Sequence, residues 1–251
     1  MEYLNKQNFE LENRLAEQMA EIALKAHDLE VFSYSVAHSL KAPLRGIEGY
    51  SRLLDERYAG RLDEEGRTFI RQIRASAAQM DRLIDGLMTY SRLEQTAITP
   101  DPVELRQLIE ALVEEKSPEL NEHKIRLAVR IENGLMTIDP EGLTLALRNY
   151  LDNAIKFTRL VPQPRIEIGA LEMRQSYRLW VRDNGIGFDM KYRERIFEIF
   201  QCLNRNHDYP GTGLGLAIVR MAMNRMNGTA WAISTVGRGS VFFLEIPKKP
   251  C

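Results

Sequence analysis

Three polar or glycine-rich clusters carry residue types that can do chemistry: Asn149-Tyr-Leu-Asp-Asn153-Ala-Ile-Lys156, Asp183-Asn-Gly185-Ile-Gly187 and Gly211-Thr212-Gly213-Leu214-Gly215. Asn149 and Asn153 are one helical turn apart, so both amides can share a face, with Lys156 almost another turn on. An amide oxygen suits a hard cation. A carboxylate at a strand end can accept a hydrogen bond from a base. Glycine backbone lets phosphate oxygens come close. Together these are the parts of a Mg-nucleotide site. Singly, each has a plainer reading: two solvated asparagines, a strand-ending turn and a glycine-rich loop. The G-x-G-x-G spacing is not the dinucleotide fingerprint, because loop precedes it and no βαβ unit surrounds it. No Walker lysine motif is present.

The clusters need rigid elements to hold them. Asp139-Pro140 starts a helix with proline at its first position, and Leu143, Leu147, Leu151 and Ile155 form its apolar stripe. Strands are expected at Ile125 to Ile131, Leu135 to Ile138, Ile166 to Leu171, Tyr177 to Arg182, Thr229 to Thr235 and Ser240 to Ile246. Helices are expected from Glu104 to about Glu115, from Lys191 to Phe200 and from Leu214 to Met226. These strands and four helices make one α+β two-layer sandwich over residues 97–251.

The first part of the chain reads differently. Residues 1–30 contain no proline or glycine, and Leu11, Leu15, Met19, Ile22, Ala26 and Leu29 step by 4, 4, 3, 4 and 3. That is a heptad seam with a stutter near Leu15 to Met19. An amphipathic helix lying on its own domain is the alternative, but the unbroken pattern favours a parallel coiled coil. Over residues 31–96 the helical pattern continues to about Glu56, with a kink expected near residues 39 to 43 at Pro43. It breaks at Tyr58-Ala-Gly60-Arg-Leu and resumes after Asp63, a candidate N-cap, up to about Leu93. Leu40, Leu44, Ile47 and Leu54, then Phe69, Ile73, Ala77, Met80, Ile84 and Leu87, form narrow apolar faces. An antiparallel two-helix hairpin cannot enclose a core with such faces, so a homodimer making a four-helix bundle is expected. Thr96 to Pro102 reads as a linker.

Composition narrows the function classes. The chain has 251 residues, 44% hydrophobic and 27% charged, as in ordinary folded protein. A net charge of −1 with scattered basic residues makes no electrostatic case for nucleic acid or an anionic membrane. Cys202 and Cys251 cannot build a disulfide scaffold, which suits a reducing cytoplasm. No apolar run reaches the ~20 residues of a membrane helix. That holds for this chain, and a longer parent could carry a sensor or membrane segment upstream of Met1.

The order of the three clusters, with Phe197-Glu-Ile-Phe200 between the second and third, resembles the ATP-binding domain of histidine kinases in the GHKL ATPase superfamily. The segment from Phe32 to Leu54 resembles that family's dimerisation and phosphoacceptor domain, closest to the phytochrome-like branch. The resemblance covers residues 31 to 247. It implies a dimerisation and histidine phosphotransfer domain at 31–96 and a catalytic domain at 97–251, which follow the coiled-coil signalling helix that the heptad seam predicts at 1–30. Asn153 matches the Mg²⁺ ligand, with Asn149 and Lys156 on metal or phosphate. Asp183 matches the carboxylate that bonds the adenine amino group, with Gly185 and Gly187 admitting the base. Phe197 and Phe200 match the hinge of the ATP lid, residues 201 to 210, which includes Arg205. Gly211, Thr212, Gly213, Leu214 and Gly215 match the phosphate loop at a helix start, and Gly237 and Gly239 the last glycine pair.

His38 matches the phosphoacceptor. A lone helical histidine is usually surface decoration. This one stands five residues before a proline, in a chain with an expected ATP site, and neutral imidazole is a good nucleophile near pH 7. The resemblance therefore implies ATP- and Mg²⁺-dependent autophosphorylation of His38, then transfer to an aspartate on a response-regulator receiver domain. Two positions depart from the pattern. Ser39 stands where relatives commonly carry an acidic base, and Ala42 where they carry Thr or Asn linked to dephosphorylation. They motivate a second reading, a nucleotide-binding pseudokinase or scaffold. A third, a chaperone or mismatch-repair type of GHKL ATPase, predicts hydrolysis without phosphohistidine; the helical domain carrying His38 argues against it.

Overall fold

In the computed structural model residues 14, 18, 21, 35–95, 98–131, 134–203, 209 and 211–248 are described, and they fall into two units that divide between Ser91 and Arg92. The heptad seam expected over residues 1–30 lies outside them, apart from Arg14, Gln18 and Glu21, which are helical and exposed.

The first unit is a helical hairpin. Helix α1 (residues 35–58) passes through Pro43 unbroken and ends in a 3-10 turn, Ala59–Arg61. Helix α2 follows (Glu64–Gln95). Asp63 caps α2 as expected: its carboxylate accepts from the Gly66 N–H at 2.8 Å. The helices run antiparallel, since Asp55 pairs with Arg74 (2.8 Å) and Lys41, earlier on α1, pairs with Asp85, later on α2. Seven-residue spacing decides what is buried. Ala37, Leu44 and Ser51 on α1 and Ile70 and Ala77 on α2 are sealed, each set stepping by seven. The intervening half of each stripe is not: Leu40, Ile47 and Leu54 on α1, and Ile73, Met80 and Leu87 on α2, also step by seven and stay exposed. A hairpin can satisfy only one of the two rows of a heptad stripe.

The second unit is an α/β sandwich. Its five-stranded sheet has the order β2-β4-β5-β7-β6, from β2 (Arg126–Arg130), β4 (Arg165–Glu172), β5 (Ser176–Asp183), β6 (Thr229–Thr235) and β7 (Gly239–Pro247). Only β2 and β4 pair in parallel, so the sheet is mixed. A parallel pair needs a crossover, and the chain between β2 and β4 includes helix α4 (Pro140–Thr158), which has proline at its start as the sequence predicts. Leu143, Leu147, Leu151 and Ile155 of α4 are buried with Ile166, Ile168, Leu179, Val181, Phe242 and Leu244 of the sheet. Tyr150 is fully buried, and its hydroxyl donates to the Phe243 carbonyl at 3.1 Å. Helices α3 (Leu105–Glu122) and α5 (Gly215–Arg225) complete the layer.

Three expectations are corrected. The linker through Pro102 ends early, because Asp101–Glu104 form strand β1, antiparallel to β3 (Leu135–Ile138). A two-stranded ribbon tolerates proline because each strand has an unpaired edge. Seven strands therefore occur among the described residues, β1 being the one that was not expected. Helix α3 continues through Pro118, where burial of Leu120 and a His123 N–H bond to the Glu119 carbonyl hold the last turns. The helix expected from Lys191 to Phe200 is two 3-10 turns, Met190–Tyr192 and Arg195–Phe197. The chain leaves helical geometry at Glu198, and the Phe200 N–H bonds the Gly213 carbonyl (3.0 Å) instead of closing a turn.

Among the described residues no helix is long and apolar enough to cross a membrane. The Tyr150 bond to β7 is a single buried contact, so Tyr150→Phe is expected to lower unfolding free energy by about 1 kcal/mol with the fold retained, as read by denaturant titration.

Candidate nucleotide site

Burying one stripe of α4 turns Asn149, Asn153 and Lys156 to another face. Asn149 Nδ2 donates to the Leu145 carbonyl one turn back at 2.9 Å, which aims its oxygen outward. That oxygen meets the start of α5: a Cβ built on Gly215 would lie 2.7 Å from it. Lys156 Nζ meets the loop before α5 in the same way, 2.6 Å from where a Gly211 Cβ would stand. The third glycine is needed for its conformation. Gly213 has φ +72°, and a side chain there would also strike the backbone of Phe200 and Gln201. Thr212 Oγ1 accepts from the Leu214 N–H at 3.3 Å and shapes the entry to α5. The first turn of α5 therefore opens beside a lysine, an arrangement suited to an anion.

Asp183 ends β5 and is buried. Both of its bonds reach one oxygen: Oδ1 accepts from Gly185 N–H (2.8 Å) and Ser240 N–H (3.3 Å). Burial pushes its carboxyl up to about 6, against the pull of those two amides. No described residue bonds Oδ2, which is the acceptor left for an incoming donor. The Gly185-Ile186-Gly187 turn is fastened to α4, since Ile186 N–H donates to the Phe157 carbonyl at 3.4 Å. Gly187 packs against the Thr235 carbonyl and Gly239 against that of Asp183, while Gly237 N–H bonds the Ile186 carbonyl at 2.7 Å.

Phe157 links the two halves. Its carbonyl holds the Asp183 turn, and its ring lies 4.4 Å from Lys156 Nζ and 5.5 Å from the Tyr209 ring. Burial lowers the Lys156 ammonium below its usual value, and nearby Arg159 adds to the effect. Asn153 is half-buried, with no side-chain hydrogen-bond partner among the described residues.

The structure thus brings together Asn149, Lys156, Asp183, Gly185, Gly187, Phe200, Gly211, Thr212, Gly213, Leu214 and Gly215. Phe197 is instead sealed in the core under the Arg220 guanidinium, 5.2 Å from its ring. Arg205 lies outside the described residues. His38 and Ser39 belong to the helical unit. His38 is exposed on α1, and the Ser39 hydroxyl donates to the Ser35 carbonyl at 2.7 Å. Sequence reasoning missed Phe157, Tyr209 and Ser240. Phe157 adjoins Lys156 and could have been found there; Ser240 reaches Asp183 only because β5 pairs with β7.

Comparison with known proteins follows the same division. Residues 28–96 match the His Kinase A (phospho-acceptor) domain, and residues 138–250 match the histidine kinase-, DNA gyrase B-, and HSP90-like ATPase family. Cyanobacterial phytochrome A of Nostoc sp. is 33% identical over 250 residues, covering 94% of this chain and 31% of that protein. Phytochrome-like protein Cph1 of Synechocystis sp. is 31% identical over 238 residues, covering 93% and 32%. The chain thus spans about a third of the length of the curated relatives it matches. Among solved structures, full-length ShkA in complex with AMPPNP is similar at TM-score 0.66 and 28% identity, covering 87% of this chain and 46% of that one.

The Asp183 geometry makes a directional prediction. Asparagine keeps the Oδ1 acceptor for both amides but presents an NH₂ where an incoming amino group must donate. Asp183→Asn is expected to lose at least tenfold in ATP affinity by calorimetry while staying folded, the scale of one unpaired buried group. Because the folded carboxyl binds its proton more tightly than the unfolded one, its contribution to stability declines as pH rises from about 4 to about 6. Melting temperature against pH should show that decline in wild type and lack it in Asp183→Asn.

Proposed function

We propose that this chain, which belongs to the sensor histidine kinases as their phosphoacceptor and ATP-binding core, transfers the γ-phosphoryl group of ATP to His38 and then to an aspartate of a response-regulator receiver domain. The observation that carries the reading is the joining of an anion-ready helix start, Lys156 and a buried carboxylate through one residue, Phe157.

In this reading Asp183 Oδ2 takes the adenine amino group, and Gly185 and Gly187 leave room for the ring. Lys156 and the Gly211–Gly215 backbone, with Thr212 and Leu214, hold the phosphates. Phe197 anchors the hinge from the core, Phe200 turns the chain into the lid, and Arg205 acts from the lid. The donor set also fits Mg²⁺. Asn153 offers an uncommitted amide oxygen one turn from Asn149, and a Mg²⁺ that keeps water and phosphate ligands needs few from protein. Among the described residues no cluster of three His, Cys, Asp or Glu side chains could cage a metal instead. Bound there, Mg²⁺ would neutralise phosphate charge.

The chemistry asked of the chain is mostly positioning. An unprotonated ring nitrogen of His38 attacks the γ-phosphorus, the bond to the β–γ bridging oxygen breaks, and ADP leaves with that electron pair. The proton on the other ring nitrogen passes to a base other than Ser39, because the Ser39 hydroxyl is given to the Ser35 carbonyl and serine is a weak base. The scaffold reading rests on Ser39 and Ala42 alone and is not favoured beside two kinase-domain matches. We place the domains at 1–30, 31–96 and 97–251, the reaction in the cytoplasm and the sensor upstream. The exposed half-stripe of Leu40, Ile47, Leu54, Ile73, Met80 and Leu87 supports a homodimer through a four-helix bundle.

With γ-labelled ATP and Mg²⁺, wild type is expected to take up acid-labile label and His38→Ala none. An unlabelled wild type that still binds AMPPNP would support the scaffold and sink the kinase. Ile47→Asp puts a charge into the exposed stripe and should shift sedimentation from dimer to monomer. A monomeric wild type at micromolar concentration would count against pairing.

A further inference from the structure

We infer that Tyr209 is a positioning residue that sets the Gly211–Gly215 loop for the phosphates by clasping the end of α4; the inference rests on the nucleotide reading above.

Tyr209 stands two residues before Gly211 and is half-buried. Its ring centre lies 5.5 Å from that of Phe157 at a 36° tilt, and the Arg159 guanidinium lies 5.9 Å from the Tyr209 ring centre. The tilted aromatic pair and the cation–ring contact both favour this placement. The contacts continue from there. Phe157 also receives the Lys156 ammonium on its ring at 4.4 Å, and that ammonium abuts Gly211. The Gly211 carbonyl in turn accepts from the Cys202 thiol at 3.5 Å. Gly211 is therefore approached from three directions: by Tyr209 along the chain, by Lys156 from α4 and by Cys202 from the lid. Of these, Tyr209 packs its ring on that of Phe157, whose carbonyl also holds the Asp183 turn. Releasing the clasp frees the loop relative to α4 and leaves the base-binding end, Asp183, Gly185 and Ser240, held by bonds that do not involve Tyr209. The consequence should be selective: phosphates lose their partner, and the base does not.

The test compares AMPPNP with adenosine, both by calorimetry on the whole chain with Mg²⁺ present. Tyr209→Ala is expected to raise the Kd for AMPPNP about tenfold, the scale of one lost aromatic pair with its cation, and to leave the Kd for adenosine unchanged. Tyr209→Phe keeps the ring and should restore AMPPNP binding. Tyr209→Leu, apolar but without a ring, should behave like alanine and guards against a variant that simply misfolds. In labelling kinetics the alanine variant should show a raised KM for ATP with kcat little changed. An unchanged AMPPNP affinity in both Tyr209→Ala and Tyr209→Leu overturns the inference while wild-type binding keeps the nucleotide reading. Equal losses for AMPPNP and adenosine also overturn it, since they report general damage. A wild type that binds neither ligand overturns both.

Discussion

The candidate site depends on the way α4 is locked. Tyr150 and the stripe Leu143, Leu147, Leu151 and Ile155 are buried almost completely, and a helix with 3.6 residues per turn has no freedom left once one face is sealed. Asn149 and Lys156 are thereby held facing the start of α5 and the loop before it, and Asn153 lies one turn from Asn149 on the same helix. The cost of moving any of these groups is the cost of unpacking the core, several kcal/mol per large side chain. The polar site draws its rigidity from the apolar side of the same helix.

Asp183 shows the opposite economy. Its burial raises the carboxyl to about 6, so the fold bears an unfavourable term near neutral pH. Two backbone amides reduce that term but satisfy only one oxygen. A buried acceptor with one oxygen answered locally is unfinished as structure and suitable as a receptor for a donor. Perturbed groups of this kind concentrate at functional sites. The same logic holds for Lys156, whose ammonium is disfavoured by burial until an anion arrives.

The helical hairpin is unfinished in another sense. Each helix carries a heptad stripe two rows wide, and the partner helix covers one row. The exposed row, made of Leu, Ile and Met, is more apolar than the buried one, which includes Ala37, Ser51 and Ala77, so it is a face suited to a further apolar partner. His38 sits one residue after buried Ala37, so its register is set by the same heptad.

Sequence alone determined whatever follows from periodicity and local chemistry. The α4 stripe, the Pro140 start, the Asp63 cap, most strands and the three clusters are local patterns, and each has the same physical meaning wherever it folds. Tertiary structure decided what depends on partners far along the chain. Pro102 is in a strand because β3 pairs with it, and Phe200 leaves helical geometry because its N–H finds the Gly213 carbonyl. Phe197 belongs to the core although its spacing groups it with Phe200. Ser240 reaches Asp183, and Tyr209 reaches Phe157, across gaps in sequence that no periodic pattern spans. A hydrogen bond or ring contact between distant residues leaves no mark on the spacing of either, so only the folded chain reveals it.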